Sequence, residues 1–515
     1  RMADIFEIQD QIARAVVEAL KTEVMDVPEQ RPDSRTTDST EAYDLYLAGK
    51  QLLHRRGHLH LLNPRGLGDP EAYRRIIELF ERAVEIDPGF APAWAGVAGA
   101  YSRKPDWWLE NYIDREAVGA RALEAARRAV ELDPELAEAH AALGYALERF
   151  ANESERSRVH LEKAIELNPG YATAHRWLAH HYRNAGRLSD ALPLMERAAT
   201  LDPLNNTTVG WYARTLAAMG RYDEAKAKMQ RLHENTPETT MRRATLGTLA
   251  FESGRFVEAH GGWTQSSESP RSNDKARCCS DPDLFGRIRV EVTLGRFDAA
   301  RSWLAELRET APESNLLRKA GHFWLLNATG QYKRLQMDTK SLLDLDLPPS
   351  LTNEALNAHG RASLLAGDVD SAIRSLESAG NWKNWRARTT TRGLLAHAYL
   401  QAGRPEAAHD LASRTLALLE ETESYGNRRP VVFFRQAAML ALLDRKDEAF
   451  EALEEAYEWG WRHYHQPDSF RPLLDQLIGD DPRYTAFIEQ VREDLEEMRA
   501  AVESEDVVVE VSSPQ

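Results

Sequence analysis

The feature that most narrows what this chain can fold into is a phrase that keeps returning along it. An alanine-rich run ending in Asp/Asn-Pro closes at Pro88, Pro134, Pro169 and Pro203, and in weaker form at Pro237. These prolines are 46, 35, 34 and 34 residues apart. A second phrase keeps the same period: AGR at 185–187, MGR at 219–221 and SGR at 253–255. Related turns follow at Gly295-Arg296, Gly330-Gln331, Gly367-Asp368 and Gly403-Arg404. A fixed period of this length marks a stacked array of small units rather than a set of unrelated domains.

Two helices of about a dozen residues each, with two turns, use ~34 residues. In the unit 172–205, His175 and Leu178 take the large positions of the first helix and Ala179 the small one. Tyr182 closes that helix, Gly186 makes the turn, Ala191, Met195 and Ala198 form the inner face of the second helix, and Pro203 ends the unit. The next unit repeats the pattern with Val209, Tyr212, Ala213, Leu216, Gly220, Ala225, Met229, Leu232 and Pro237. Small residues let the two helices approach, and large ones fill the space between units. Glycine relieves the left-handed strain after the first helix, and proline stops the second. One pair cannot bury its own apolar face, but stacked neighbours can. These residues closely resemble tetratricopeptide repeats. The resemblance implies an all-α fold, a right-handed superhelical solenoid of helix-turn-helix pairs.

The same pattern predicts roughly ten pairs. An N-terminal array covers 41–260. A polar inter-repeat loop covers 261–282. A second array covers 283–456, with pairs at Leu284–Leu307, Leu316–Leu345, Asn353–Ser378, Arg392–Leu419 and Val432–Ala456. Arg55–Pro70 reads as a loop, and so does Ser102–Asn111, which contains Trp107 and Trp108 and accounts for the spacing of 46. A helical cap covers 457–502; its last helix, Tyr484–Val502, carries Phe487, Ile488, Val491, Leu495 and Met498 on one face. The tail 503–515 is expected to be disordered. At the other end, Ile5, Ile8, Ile12, Val16 and Ala19 recur at helical spacing and predict an amphipathic helix over 4–24. It leads into a polar linker, 28–40.

DIFEIQDQIARAVVEAL followed by EAYDLYLAGK, with the closing stretch LEEAYEWGW…DPRYTAFIEQV at 453–491, resembles a bacterial architecture. In it a TolB-like α/β domain precedes the repeats, and an N-terminal effector precedes both: a nucleotide cyclase, a winged-helix DNA-binding domain or a protein kinase. The resemblance implies that 1–27 is the terminal helix of a truncated TolB-like domain. It also implies that this chain, which opens on Arg1, is a fragment whose effector lies upstream.

The 515 residues carry a formal charge of −16, from 65 Lys+Arg against 81 Asp+Glu. Such a surface argues against bulk nucleic-acid binding and against docking on anionic membranes. No run approaches the ~18 apolar residues of a membrane span; the best, Val431–Leu443, is cut by Arg435 and Gln436. The expectation is no direct nucleic-acid contact and no membrane insertion within the chain. The expected compartment is the cytoplasm, or the periplasm should a membrane helix lie upstream. The two cysteines, Cys278 and Cys279, are adjacent, which excludes a disulfide framework and a multi-cysteine zinc site.

No phosphate loop, GxSxG elbow, HExxH helix or calcium loop occurs. Gly66 and Gly68 precede Pro70 and read as a turn. His54, His58 and His60 read as solvated loop residues, because Gly57 interrupts the helix. His463 and His465 beside Trp459 and Trp461 read as cap packing, and Trp382 and Trp385 as packing between helices. No catalytic residue, metal or cofactor is expected.

Binding is what remains. The family resemblance places the first-helix positions Thr173, Arg176, Trp177, His180, Arg183 and Asn184 in a concave groove, with Thr207, Trp211 and Arg214 from the next unit. The candidate groove residues are therefore Arg176, Trp177, His180, Arg183, Trp211 and Arg214. Arginine and tryptophan anchor interfaces, and guanidinium holds a carboxylate by two parallel bonds. This predicts a grip on an acidic or C-terminal peptide; the alternative is that these arginines pair with acids on neighbouring helices. Ala141 and Tyr145 occupy two positions of the family's Lys/Asn carboxylate clamp, which argues against that subclass. The expected function is a non-catalytic scaffold for a protein or peptide partner, within a bacterial signal-transduction protein. The alternative is the regulatory half of a cyclase, kinase or winged-helix regulator.

Overall fold

A computed structural model describes residues 37–59, 70–103, 114–151, 153–203, 205–234, 240–264, 281–310, 316–345, 349–379, 384–464 and 470–512. Every regular element among them is helical. The chain divides into two compact units, the first centred on Pro70–Lys104 and Val118–Ala174 and the second on His175–Gln515.

The first unit is built from α1 (Thr40–Leu59), α2 (Pro70–Ile86), α3 (Ala91–Arg103), α4 (Asp114–Leu132), α5 (Ala137–Ala146) and α6 (Ser154–Leu167). Its core joins Tyr46, Phe80, Phe90, Val97, Leu143 and Leu147. The Asp/Asn-Pro phrase has a specific task here. Asp87 Oδ1 accepts the Gly89 N–H at 2.9 Å, Asp133 the Glu135 N–H at 3.0 Å, and Asn168 the Gly170 N–H at 3.0 Å. The acid or amide thus folds the chain over a proline with a preset φ, so the phrase both stops one helix and aims the next.

The second unit begins within α7 (Ala172–Ala185) and continues through α8 (Leu188–Leu201), α9 (Asn206–Ala218), α10 (Tyr222–Glu234), α11 (Thr240–Glu252) and α12 (Phe256–Thr264). It goes on with α13 (Asp281–Thr293), α14 (Phe297–Thr310), α15 (Leu316–Ala328), α16 (Tyr332–Leu343), α17 (Pro349–Leu365) and α18 (Val369–Ser378). The last six are α19 (Trp385–Gln401), α20 (Pro405–Ser424), α21 (Pro430–Leu442), α22 (Lys446–Glu458), α23 (Arg471–Ile478) and α24 (Pro482–Ser512). From α7 to α22 these are eight successive antiparallel hairpins.

One turn device serves the hairpins. The residue after each turn glycine donates its N–H to a carbonyl five residues back: Arg187 to Tyr182, Arg221 to Leu216, Arg255 to Ala250, Arg296 to Glu291, Gln331 to Leu326, Asp368 to Ser363 and Arg404 to Tyr399, at 2.8–2.9 Å. This geometry needs a positive φ, found from +69° at Gly403 to +87° at Gly186, and glycine supplies it without steric penalty. In the last hairpin Asp444 takes the place, at φ 60°. After one such turn, Asp368 caps α18: its Oδ1 accepts the Ser371 N–H at 3.1 Å, and its Oδ2 accepts from Gln336 at 2.8 Å. Asp368→Ala is expected to cost about 1 kcal/mol locally, read as a roughly fivefold faster hydrogen exchange of the Val369–Ser378 amides. Unchanged exchange there would mean that the cap contributes nothing.

The coil of the second unit completes a turn and comes down on its own beginning. Ser189 N–H donates to Tyr425 O, and Arg428 N–H to Ala218 O, both at 2.9 Å. The Arg187 guanidinium lies between the rings of Tyr182 and Tyr425, at 4.9 and 4.8 Å. Gly220 faces the Trp459 ring, and Gly254 lies backbone to backbone on Gly460. One apolar core consequently joins Met195, Leu216 and Phe251 to Phe434, Trp461 and Val491. α21, the most apolar run in the sequence, is buried on all sides, Arg435 and Gln436 included.

Several sequence expectations change. Gly57 does not interrupt its helix, since α1 runs to Leu59, so the stretch from Arg55 begins helical. The polar stretch from residue 261 begins helical as far as Thr264. The end of the chain is helical past Val502 to Ser512 rather than disordered from Glu503. α24 lays Tyr484, Phe487, Val491 and Leu495 into the core and packs on α22 and α12. The loop predicted to 282 also gives way at its far end to α13, which starts at Asp281; the predicted helix 4–24, residues 265–280, Cys278, Cys279, His60, Trp107, Trp108, Trp382 and His465 lie outside the described residues.

Candidate functional site

The first helices of the hairpins (α7, α9, α11, α13, α15, α17, α19 and α21) carry the polar groups of interest in the second unit. Trp211 on α9 is the centre of a stack. Arg183 lies over its ring at 4.5 Å, Arg214 at 4.8 Å, and His180 meets it edge-on at 4.5 Å. Arg214 also reaches across to α11 and donates to Glu252 at 3.1 Å. Four of the six residues predicted for the groove are thus brought together. Arg176 is half-buried on the same helix as His180 and lies close enough to lower the pKa of that imidazole. Trp177 is 3 % exposed, so its ring belongs to the packing and offers little surface to a ligand.

Next to this stack lies a cavity of about 530 Å³. Glu252 and Phe251 at the end of α11 form one wall, and Arg289 of α13 and Trp324 of α15 another. α17 contributes Arg361 and Asn357, α19 opens onto the cavity with Arg386, and the start of α21 does so with Arg429 and Arg435. Five arginines therefore line the cavity together with two glutamates, Glu252 and Glu354. The six predicted groove residues are absent from this lining; Arg214 touches it only through Glu252.

The electrostatics follow from burial and crowding. Burial pushes the Glu252 carboxyl up, yet Arg214, Arg429 and Arg386 together hold it well below the usual range. Burial pushes Arg429 and Arg289 down to about 10; Glu252 opposes this, while Arg386 and Arg214 add to it. Arg183 is lowered by burial and by Arg429 and Arg214. Burial takes His180 well below its ordinary value, helped by Arg183, Arg176 and Arg214, and takes His463 down to about 3, helped by Arg289 and Arg386. Both imidazoles are neutral at physiological pH. Arg183, Arg214, Arg289, Arg386 and Arg429 thus share the field of one carboxylate.

Some of these cations have a clear structural role. Arg435 donates to Arg386 O at 3.0 Å and to Thr389 Oγ1 at 2.9 Å, which ties α21 to α19. Arg289 lies over Phe251 at 4.1 Å and Trp324 at 5.2 Å. His463 packs on Phe251 and Phe256, as a cap residue would, while also facing the cavity. Trp385 is buried in the core, as expected. Among the described residues, no group of three or more His, Cys, Asp or Glu is placed to hold a metal ion, and no helix is long and apolar enough to cross a membrane.

The hairpins, their period and their glycine turns define an architecture that comparison identifies. Two models of the tetratricopeptide repeat match, over residues 148–206 and 184–246. The chain carries tetratricopeptide repeats. Superkiller protein 3 of Schizosaccharomyces pombe is 23 % identical over 207 residues, or 40 % of this chain. A putative adenylate cyclase 3 of Rhizobium meliloti is 34 % identical over 97 residues, or 19 % of this chain. The chain spans 14 % of the length of each of these relatives. Among solved structures, a thermophilic tetratricopeptide protein of Thermus thermophilus aligns over 41 % of this chain and 99 % of its own, at 20 % identity and a TM-score of 0.32. Arg183, Arg214, Arg289 and Arg386 all stand on the first helices of their hairpins.

Proposed function

We propose that this chain is a non-catalytic scaffold that docks an acidic protein segment through its first-helix faces, as the interaction region of a bacterial signal-transduction protein. The observation that carries the reading is the stack on Trp211. A large aromatic ring held between Arg183 and Arg214 is the kind of rigid cationic anchor on which interfaces concentrate their energy. Arg176 and Arg183 add positive charge to this face of a chain whose formal charge is −16, so an acidic partner meets attraction here. The 34 % identity to a stretch of a putative adenylate cyclase favours one finer version, in which the scaffold is the regulatory part of a nucleotide cyclase.

The test is fluorescence anisotropy with a labelled acidic peptide carrying a free C-terminus, compared with its amidated form. The double variant Arg176→Ala, Arg183→Ala is expected to bind about tenfold or more weakly. Equal binding by variant and wild type would reject these positions as the docking site.

A further inference from the structure

The cavity beside the Trp211 stack holds more positive charge than its surroundings balance. Arg289, Arg361, Arg386, Arg429 and Arg435 line it against two carboxylates, Glu252 and Glu354; Arg183 and Arg214 stand close by, and Glu252 is already bonded to Arg214. Arg429 is 9 % exposed, and its Nε–H has no hydrogen-bond partner; the same is true of the Nε–H of Arg289 and of Nδ1 of His463. A buried guanidinium N–H without an acceptor is destabilising, and so is the crowding of like charges in a poorly solvated space. Neither would persist in a fold that merely needed packing there, because a leucine or methionine would serve better. The first residues of α19 and α21 also belong to the lining, and α19 is capped there by Asn384, whose Oδ1 accepts the Arg386 N–H at 2.9 Å.

We propose that this cavity is a binding site for a small molecule carrying phosphoryl groups, with Arg289, Arg386 and Arg429 as its principal ligands. Planar guanidinium donors match phosphoryl oxygens in pairs, and two linked phosphoryl groups deliver several negative charges within a few atoms. A cavity of about 530 Å³ is of the size that small organic ligands occupy. Phe251 and Trp324 supply apolar walls for the rest of such a molecule. The site goes beyond the docking of a protein segment and does not depend on it, since Arg176 and Arg183 lie outside the lining.

Isothermal titration of the chain with inorganic pyrophosphate, at constant ionic strength and with no protein partner, tests this directly. One pyrophosphate per chain is expected to bind and to raise the melting temperature, with citrate at least about tenfold weaker. Arg429→Gln and Arg289→Gln are expected to weaken pyrophosphate by about tenfold or more, and Arg429→Gln to leave the ligand-free melting temperature unchanged or higher. Arg386→Gln, at an exposed rim position, is expected to weaken it as well and keeps the test valid should a buried variant fail to fold. Absence of pyrophosphate binding overturns the proposal, and so does equal binding by all three variants. Citrate binding as tight as pyrophosphate would overturn the phosphoryl assignment. These outcomes leave the peptide experiment untouched, because it uses different residues and a different probe.

Discussion

Glu252→Gln is expected to weaken the second unit by about 2–3 kcal/mol at neutral pH, because it removes one charge from a partly buried ion pair and strands its partners. The side chain keeps its shape, so the change is electrical. Arg214 loses its carboxylate, and Arg429, Arg386 and Arg289 lose the negative charge that offsets their mutual repulsion. The effect depends on pH in a definite direction. Burial alone would raise the Glu252 carboxyl, but the arginines hold its folded-state pKa below the ordinary value of 4.5. Its contribution is therefore complete above that value and is lost as the pH falls through the folded-state pKa. Melting curves of wild type and Glu252→Gln should differ most near pH 7 and converge on acidification. Equal midpoints at pH 7 would show that the arginines do not depend on this carboxylate.

Gly254→Ala is expected to be comparably severe, and Gly330→Ala mild. Both glycines have positive φ, +74° and +70°, so an alanine at either position bears the left-handed backbone penalty of about 1–2 kcal/mol. The difference is what the new methyl meets. At Gly330 it enters open space; at Gly254 it would overlap the Gly460 carbonyl oxygen. Backbone cannot rotate aside as a side chain can, so the place where the coil lands on itself must part. We expect a loss of about 3 kcal/mol or more for Gly254→Ala. Hydrogen exchange should rise at Leu249–Phe256 and at Glu455–Trp461 together. Equal effects of the two substitutions would mean that the backbone contact between Gly254 and Gly460 carries no stability.

The hairpin architecture was legible because its physics is local. A glycine that must take positive φ and an Asp/Asn that must fold over proline recur wherever the turn recurs, whatever the packing. Gly186, Gly220 and Gly254 therefore marked the register, and so did Gly295, Gly330, Gly367 and Gly403. That the residues of the Trp211 stack stand on first helices was legible for the same reason, since they lie where the period is regular; that they stack on one another was not. The cavity was not, because its arginines come from hairpins after residue 260, where loop lengths vary and counting from prolines loses register. A signal was present nonetheless. Arg214, Arg289, Trp324 and Arg361 each stand six residues before their own turn glycine, Gly220, Gly295, Gly330 and Gly367. Counting back from the glycines would have placed all four on the inward face. The landing of one coil turn on another was beyond such counting, because Gly254 and Gly460 are distant in sequence and nothing in either neighbourhood names the other. The unbroken helix through Gly57 reflects how little a single glycine weighs, roughly 1 kcal/mol, against neighbours that favour the helix.

An open array of repeats can gain or lose a module with little consequence, since each touches only the next. Here the later hairpins must arrive on particular earlier ones, Tyr425 on Ser189, Trp459 on Gly220, Gly460 on Gly254. Inserting or deleting one module between them would shift every such meeting by a whole unit. The number of repeats along this stretch is thereby fixed by geometry, and the second unit, which in an open array could stretch like a spring, is clasped where these hairpins meet.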